Sequence, residues 1–392
     1  MIKKITAAVL ALSLIALSGC SGGSIYSNYR EIEQLVVIQT MGIDKTDDGV
    51  CLSISSGSIG GGSSGSGDGD GGAGGGVQSI LRMSAKAKSL TVAQESIQDY
   101  SPGEQLFFGH VNYIALGQSA LESGVNDYFD YIKRDTSFRL NIPAFAVSGG
   151  EAAELVLGTG SDDYDATNAL RSIERNLMLR GDSYLFTAAQ IAANMDANGA
   201  ALISAVRCVD AKESDYEAEE GELTTLPDGY IIIKDGKSAG HIPFEMARGV
   251  NILRSEAGPS SVELDGATVQ LDKCKCEIKP VLVGGALAGL DISVTADAAL
   301  AELRQNRKPE ELSAELEAEI KSWIVYVLDK SVETGCDFLQ LGSVLEMQEP
   351  RFLRGMTELF GGVLSNIYYN VRVQADVSRS FDLDIPEDDH EV

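Results

Sequence analysis

The cysteine with the strongest chemical context is Cys20, near the start of the chain. It follows Leu-Ser-Gly at 17–19, and the four residues have the form of a lipobox. Two lysines precede a run of about a dozen apolar or small residues, which is too short to span the hydrocarbon core of a bilayer. The pattern predicts a lipoprotein signal peptide over 1–19 and a diacylglyceryl group on Cys20, with anchorage by two acyl chains after cleavage. The alternatives are an ordinary secretory peptide with a chance cysteine, or a buried N-terminal helix.

The other cysteines give little sign of a metal or disulfide site. They number five, which is a poor basis for a disulfide framework: Cys51, Cys208, Cys274, Cys276 and Cys336. Cys274 and Cys276 are two residues apart and would point to one face of a strand, but no histidine lies nearby in sequence. We therefore expect small residues on a strand, no bound metal and no cofactor.

Motifs that resemble catalytic sites are incomplete in this chain. The Gly-x-Ser-x-Gly match at 61–65 lies in low-complexity sequence, where a nucleophile elbow has no strand-to-helix turn to hold it. The run 67–72 lacks most ligands of a calcium loop, and Gly-Lys-Ser at 236–238 lacks the first glycine of a phosphate-binding loop. A catalytic histidine would need a nucleophile or a metal cluster to act with, and we identify neither for the three histidines of the sequence. The sequence predicts a protein that is not an enzyme.

The charge of the chain limits the partners that it can bind. The formal net charge is −27, with 58 acidic and 31 basic residues. Such an acidic body repels nucleic acid and the surface of an anionic membrane. We expect no nucleic-acid partner. After the signal peptide no segment has 18 uninterrupted apolar residues, so we also expect no transmembrane helix there.

The pattern of predicted strands and helices indicates an α+β fold, and we expect three domains. We expect mixed or antiparallel sheets with packed helices. The predicted parts are a tether over 20–29, an N-terminal α+β domain over 30–160 with a mobile Gly/Ser loop at 57–76, a mainly helical domain with an acidic linker over 161–225, a C-terminal α+β domain over 226–382, and an acidic tail over 383–392.

Four segments give the clearest local predictions. Residues 104–117 form the most strand-like segment, with His110 inside it, and 119–134 carry apolar residues at helical spacing. Residues 228–242 are typical of a hairpin with its turn at Asp235 and Gly236. Pro309 begins a helix whose apolar stripe is Leu312, Leu316, Ile320, Trp323, Ile324, Val327 and Leu328. We find no regular alternation of strands and helices of the βαβ kind.

Several segments, taken in order, resemble the Ger(x)C family of spore germination lipoproteins, the C subunits of nutrient germinant receptors in endospore-forming bacteria. The segment from Arg30 to Leu35 matches the family's "REIEDL"-like opening, and Gly42-Ile43-Asp44 matches the end of its first strand. Phe108, Gly109 and His110, with Gly117 at the proper distance, match its "xxFGHxxxxxxG" strand. The likeness extends through nearly the whole chain.

Later segments carry the same resemblance. Arg134-Asp135 and Arg139 match an "RDxxxRxN" segment, and 229–253 resemble the family's C-terminal hairpin and helix. The segment from Asp337 to Gly342 is similar to its "DxFGxG" turn but lacks the middle glycine. The Trp-Asp that often follows the lipid-bearing cysteine is also missing. These departures indicate a divergent member.

The resemblance implies a non-enzymatic protein, held by its lipid on the outer face of the spore inner membrane, that works with membrane-embedded A and B subunits. It also implies architectural roles for the matched glycines, which relieve crowding at strand ends. We expect Arg134, Asp135 and Arg139 to form an ion-pair set, with Arg139 the best candidate for a further role. A simple Arg139–Asp135 pair is the alternative. Competing functions are the substrate-binding lipoprotein of a transporter and a lipid-anchored hydrolase using Ser63 or His110.

Overall fold

A computed structural model describes the chain over residues 35–57, 80–101, 105–158, 164–181, 183–210 and 223–378. The predictions for Cys20, Arg30, the signal peptide, the tether and the acidic tail lie outside these residues. So do Ser63 and nearly all of the Gly/Ser and acidic segments.

Strands and helices alternate irregularly along the described residues, which gives the expected mixture of α and β structure. The strands are β1 (Leu35–Val37), β2 (Thr40–Thr46), β3 (Gly49–Ser55), β4 (Arg82–Ala87), β5 (Gln105–Phe107), β6 (Tyr113–Leu116), β7 (Ala144–Val147), β8 (Ala200–Asp210), β9 (Leu223–Lys234), β10 (Lys237–Ile242), β11 (Ser260–Leu264), β12 (Ala267–Val283), β13 (Ala286–Leu303) and β14 (Tyr368–Ser378). The helices are α1 (Leu90–Asp99), α2 (Gln118–Ser123), α3 (Asn126–Arg134), α4 (Ala152–Leu157), α5 (Ala166–Arg180), α6 (Ala188–Asn198), α7 (Ala247–Leu253), α8 (Pro309–Thr334), α9 (Leu341–Gln348) and α10 (Met356–Val363).

The main sheet has eight strands in the order β10-β9-β8-β7-β6-β2-β3-β4. Its centre is parallel from β2 through β6 and β7 to β8, and hairpins add antiparallel strands at both ends. The connections from β6 to β7 and from β7 to β8 are parallel crossovers through helices. Our expectation of no βαβ alternation was therefore wrong for this part of the chain, because each crossover is divided among two or three helices instead of a single one.

The central strands are apolar on both faces because helices cover both faces. In β6, Tyr113 and Ala115 pack with α4 and α5, whereas Ile114 and Leu116 join the core on the opposite face. Every residue of β6 and β7 is buried. Continuous apolar runs of this kind are what a parallel sheet between two helical layers requires.

The segment that is most strand-like in sequence is interrupted, so the prediction of one strand over 104–117 was wrong. Its first part, β5, pairs with β1 in a separate two-stranded parallel sheet, and its second part, β6, enters the main sheet. Between them Gly109 and His110 form a turn, which is closed by the bond from Val111 N–H to Phe108 O. His110 consequently lies in an exposed turn rather than in a strand.

The helical stretch 119–134 is also divided, into α2 and α3, at Gly124. This glycine has φ +129°, a conformation that L residues rarely adopt. The next residue, Val125, donates its N–H to Gly236 O in the turn between β9 and β10. The break therefore joins the α2–α3 corner to the predicted 228–242 hairpin. That hairpin is confirmed, with Asp235 and Gly236 at φ +51° and +80° in its turn.

The C-terminal sheet has four strands in the order β11-β12-β13-β14, and α8 covers it. The predicted apolar stripe of α8 is confirmed, since all seven of its residues are buried. Gly249 of α7 lets the two helices approach closely, because a Cβ there would lie 2.4 Å from Trp323 O. β14 returns parallel to β13 after α8, α9 and α10. No described helix combines the length and the apolar character needed to cross a membrane.

The buried stripe of α8 predicts a clear difference between its two faces. Ile320→Ala removes a side chain with 0% exposure, so it should lower the free energy of unfolding by about 2–5 kcal/mol. Val325→Ala, whose side chain is 37% exposed, should change it by about 1 kcal/mol or less. Urea unfolding of both variants checks this, and equal losses would contradict the packing of α8.

Candidate functional site

Asp44, at the end of the Gly-Ile-Asp motif, caps a helix that follows it by more than a hundred residues. Its Oδ1 accepts a hydrogen bond from Ala152 N–H at 2.7 Å, and its Oδ2 accepts one from Ala153 N–H at 2.9 Å. Both N–H groups belong to the first turn of α4, where no intrahelical acceptor exists. The side chain of Glu151, the N-cap residue just before this helix, makes no capping bond. A strand residue therefore replaces the local cap.

The glycines of the same motifs make room for this contact. A Cβ on Gly117 would lie 1.9 Å from Asp44 Oδ1, and a Cβ on Gly42 would lie 2.8 Å from Val156 Cγ2. Any side chain at either position would push β2 or β6 away from α4. The predicted role of Gly42 and Gly117 in relieving crowding at strand ends agrees with these distances.

Glu151 and Ser119 complete the cluster around Asp44. Ser119 Oγ donates to Glu151 Oε2 at 2.7 Å and accepts from Lys45 N–H at 3.0 Å. Burial, together with a hydrogen bond to the Glu151 carboxyl, raises the pKa of Asp44 to about 7. Glu151 was not predicted from the sequence, because an acidic residue before the short helical segment 152–157 is too common to indicate a buried cluster.

His110 and Arg139, from two separate motifs, meet at the surface. Arg139 Nη2 lies 3.1 Å from His110 Nδ1, and both side chains are exposed. The His110 ring also packs against Phe107, with 5.6 Å between ring centroids. Gly109 permits this turn, since a Cβ there would lie 2.6 Å from the Phe107 ring. The pair offers hydrogen-bonding groups to a partner, but among the described residues it has no nucleophile beside it.

The expected ion-pair set of Arg134, Asp135 and Arg139 is not formed. Arg134 instead pairs with Asp130 at 2.7 Å along α3. Asp135 accepts hydrogen bonds from both the N–H and the hydroxyl of Ser137 just after the helix. The alternative Arg139–Asp135 pair is wrong for the same reason, because the chain turns after α3 and carries Arg139 toward His110.

Asp337, in the C-terminal part of the protein, caps the start of a helix in the same way as Asp44. Its Oδ1 and Oδ2 accept from Leu341 N–H at 2.9 Å and Gly342 N–H at 2.7 Å, in the first turn of α9. Burial raises the pKa of Asp337 to about 6, and the backbone donors oppose that rise. A Cβ on Gly342 would lie 2.5 Å from Met356 O, so this glycine allows α9 and α10 to pack closely.

Gln340 stands where the "DxFGxG" turn has its middle glycine. The backbone conformation of Gln340 explains why a glycine suits this position. It has φ +61° and ψ +31°, which is a left-handed conformation that glycine adopts without cost. The side chain offsets part of the strain, because its Nε2 donates to Ala200 O at 2.9 Å and to Asn198 Oδ1 at 3.2 Å. Asn198 in turn donates to Asp337 O at 3.0 Å, which ties the main sheet to the C-terminal helices.

The remaining titratable groups favour structural roles. His241 Nε2 lies 3.3 Å from Asp228 Oδ2, and this hydrogen bond raises the pKa of His241. Burial raises the pKa of the Cys274 thiol to about 11 and that of Cys276 to about 12, so both stay protonated at neutral pH. No group of three or more possible metal ligands occurs within the described residues.

Comparisons with known proteins agree along the length of the chain. A family model described as "Spore germination protein N-terminal domain" matches residues 28–207, and one described as "Spore germination B3/ GerAC like, C-terminal" matches residues 228–381. A solved structure titled "Crystal Structure of the GerBC protein" is 18% identical, with a TM-score of 0.54, and the match covers 86% of this chain and 96% of that one. That likeness shows the same fold. A search of curated proteins finds no match.

The raised pKa of Asp44 predicts a pH dependence. Its pKa is about 7 in the folded state against 3.8 for an ordinary Asp, so the folded state binds the extra proton between these values. The stability that this group contributes is full below about pH 4 and is lost as the pH rises through about 7. Between pH 5 and pH 8 we expect the free energy of unfolding to fall by about 1–3 kcal/mol on this account.

Asp44→Asn should remove most of this fall, because the amide does not titrate and still offers an oxygen to Ala152 N–H. Urea unfolding at pH 5 and pH 8 measures it. Asp47→Asn, in the exposed turn after β2, is the matched control and should keep the wild-type fall. An Asp44→Asn protein that loses as much stability as the wild type would contradict the assignment.

The left-handed backbone of Gln340 predicts an ordered series. Gln340→Gly relieves the strain and loses two hydrogen bonds, so it should stay within about 1 kcal/mol of the wild type. Gln340→Val loses the same bonds and places a β-branched residue in this conformation, which should cost at least about 2 kcal/mol. Chemical unfolding checks the order, and a valine variant as stable as the glycine variant would refute the backbone argument.

Proposed function

Since the chain belongs to the Ger(x)C family of spore germination proteins, we propose that it is the lipid-anchored, non-enzymatic C subunit of a spore germinant receptor, needed for the response to nutrient germinants. The observation that carries the proposal is the pair of family models, which match 28–207 and 228–381 in order. Their matches include all of the described motif residues that the resemblance rested on.

The lipobox supports the anchored form. Cys20 would hold the two acyl chains, and residues 21–34 would connect it to β1 over a distance of at most about 50 Å. One acyl chain binds a membrane marginally and two bind it stably, so the tether would keep the acidic protein beside a bilayer that otherwise repels it. The proposed place is the outer face of the spore inner membrane.

The use of the acidic motif residues supports a non-catalytic role. Both carboxylate oxygens of Asp44 and of Asp337 accept hydrogen bonds from helix N–H groups. Neither side chain is therefore placed to take a proton from a substrate. The hydrolase alternative would need His110 beside a nucleophile, whereas its described partner is Arg139. These contacts hold helices and strands together.

The proposed partners are the membrane-embedded A and B subunits of the receptor. The exposed His110–Arg139 pair, with Phe107 37% and Leu140 46% exposed nearby in sequence, offers one surface of mixed polar and apolar character for such a contact.

The three-part domain division also remains part of this proposal. The β9–β10 hairpin, which we assigned to the C-terminal domain, continues the main sheet through β8.

The transporter alternative predicts two separate α/β lobes around a cleft. The described residues instead form one eight-stranded mixed sheet, a four-stranded sheet covered by α8, and the small β1–β5 pair. This arrangement favours the receptor subunit over a two-lobed binding protein.

Loss of the lipid provides the direct test of the proposal. In spores that carry Cys20→Ala, the protein should lack the acyl mass by mass spectrometry, leave the membrane fraction and fail to support germination with nutrients. Ser18→Ala keeps a small residue in the lipobox and should behave as the wild type. The circular dichroism of the Cys20→Ala protein should be unchanged. A lipid-free chain that supports normal germination would overturn the proposal.

A further inference from the structure

The two ends of the C-terminal sheet differ sharply in charge. Where β13 ends and α8 begins, Arg307 forms ion pairs with Glu311 and Glu315. At the opposite end, residues 280–290 of the β12–β13 hairpin contain no charged residue, and neither do residues 359–371, which lead into β14. Since 23% of the chain is charged, the meeting of two uncharged segments at an exposed end of the sheet requires an explanation.

Three large apolar side chains are exposed at this uncharged end. They are Val283, Phe352 and Tyr368, with exposed fractions of 67%, 56% and 51%, and we call them the sheet tip. They surround one hairpin, because a Cβ on Gly285 would lie 3.5 Å from the Phe352 ring and a Cβ on Gly289 would lie 2.7 Å from the Tyr368 ring. Apolar side chains that are exposed together in this way indicate a contact surface.

Two arginines flank the aromatic ring of the sheet tip. Arg351 and Arg354, on either side of Phe352 in sequence, are exposed, and neither forms an ion pair with another described residue. Both carboxylate oxygens of the nearby Glu346 accept hydrogen bonds from N–H groups at the start of α10. Glu358 is an exposed acid of the same region. Guanidinium groups beside exposed apolar side chains suit a surface of lipid phosphates over acyl chains.

The sheet tip also lies within reach of the proposed lipid anchor. Gln340, just before α9, bonds to Ala200 at the start of β8, and β8 is three strand spacings, or about 15 Å, from β2. The eight residues of α9 add about 12 Å toward the loop that carries Phe352. The tether before β1 can span up to about 50 Å, so acyl chains on Cys20 and the sheet tip can reach the same bilayer.

We propose that the sheet tip inserts into the headgroup region of an anionic bilayer, as a second membrane contact beside the acyl chains of Cys20. Val283, Phe352 and Tyr368 contact the upper part of the acyl chains, and the two flanking arginines bind lipid phosphates. The charged end of the sheet then stays about 50 Å away, which separates much of the negative charge from the membrane. The proposal rests on the lipid anchor of the proposed function but not on the response to germinants.

Tryptophan fluorescence of the lipidated full chain tests the contact. The protein is placed in vesicles of phosphatidylglycerol and brominated phosphatidylcholine, whose bromine atoms quench tryptophan in the bilayer. Phe352→Trp should lose at least about half of its added emission, and Leu303→Trp, 38% exposed at the charged end of the same sheet, should lose about a tenth or less. The native Trp323 is buried and gives both variants the same background.

Flotation of the vesicles and the acyl mass of the protein report the anchor separately. An anchored Phe352→Trp protein without quenching would therefore overturn the sheet-tip contact and leave the anchor intact. Equal quenching of the Phe352→Trp and Leu303→Trp proteins would also overturn it, because the membrane contact would not be at this end of the sheet.

Charge variants test the apolar part of the contact. In the Phe352→Trp protein, Val283→Asp/Tyr368→Asp should reduce the quenching to about a tenth, whereas Leu140→Asp/Leu303→Asp, with the same change of charge at exposed sites elsewhere, should leave it unchanged. Thermal unfolding verifies that each variant is folded. Unchanged quenching in the first variant, together with loss of germination, would indicate a protein partner at the sheet tip and overturn the proposal.

The two arginines provide the test of lipid charge. Arg351→Gln/Arg354→Gln should lower the quenching of the Phe352→Trp protein in vesicles that contain phosphatidylglycerol, and should have little effect in vesicles of brominated phosphatidylcholine alone. An equal effect in both kinds of vesicle would contradict the assignment of these side chains to anionic lipid.

Discussion

The structure depends on the carboxylate of Asp44, a residue of strand β2, which caps helix α4 far along the chain. Asp44 lies at the end of a central strand and satisfies two N–H groups at the start of α4, which would otherwise be buried without acceptors. The contact is so close that Gly42 and Gly117 have no room for a side chain. Strand β2, strand β6 and helix α4 are therefore positioned by a single group, and burial raises the pKa of that group to about 7.

The same solution recurs in the C-terminal part. Asp337 caps α9 from the preceding turn, and Gly342 lets α10 approach. Hydrogen bonds from Asn198 and Gln340 then connect this turn to the end of α6 and the start of β8. A buried carboxylate is costly unless donors surround it, and here backbone N–H groups supply them. The motif residues thus hold the parts of the protein in fixed relation, which suits a subunit that works through contacts.

The matched motifs also place one polar pair at the surface. The His110–Arg139 pair is an exposed contact between two loops, with aromatic surface beside it, and it suits a macromolecular partner. Ser119 links the end of β2 to the carboxyl cluster around Asp44, because its hydroxyl accepts a hydrogen bond from Lys45 N–H and donates one to Glu151.

The sequence by itself determined the features that depend on neighbours along the chain. These are the buried stripe of α8, the hairpin turn at Asp235 and Gly236, and the motifs that indicate the family. The tertiary structure decided what depends on distant partners. The break at Gly109 arises because β5 pairs with β1, and Arg139 meets His110 because the chain turns after α3. Gln340 adopts a left-handed backbone since Asp337 must cap α9. Periodicity reports local geometry, whereas strand partners and buried charges are set by groups far away in sequence.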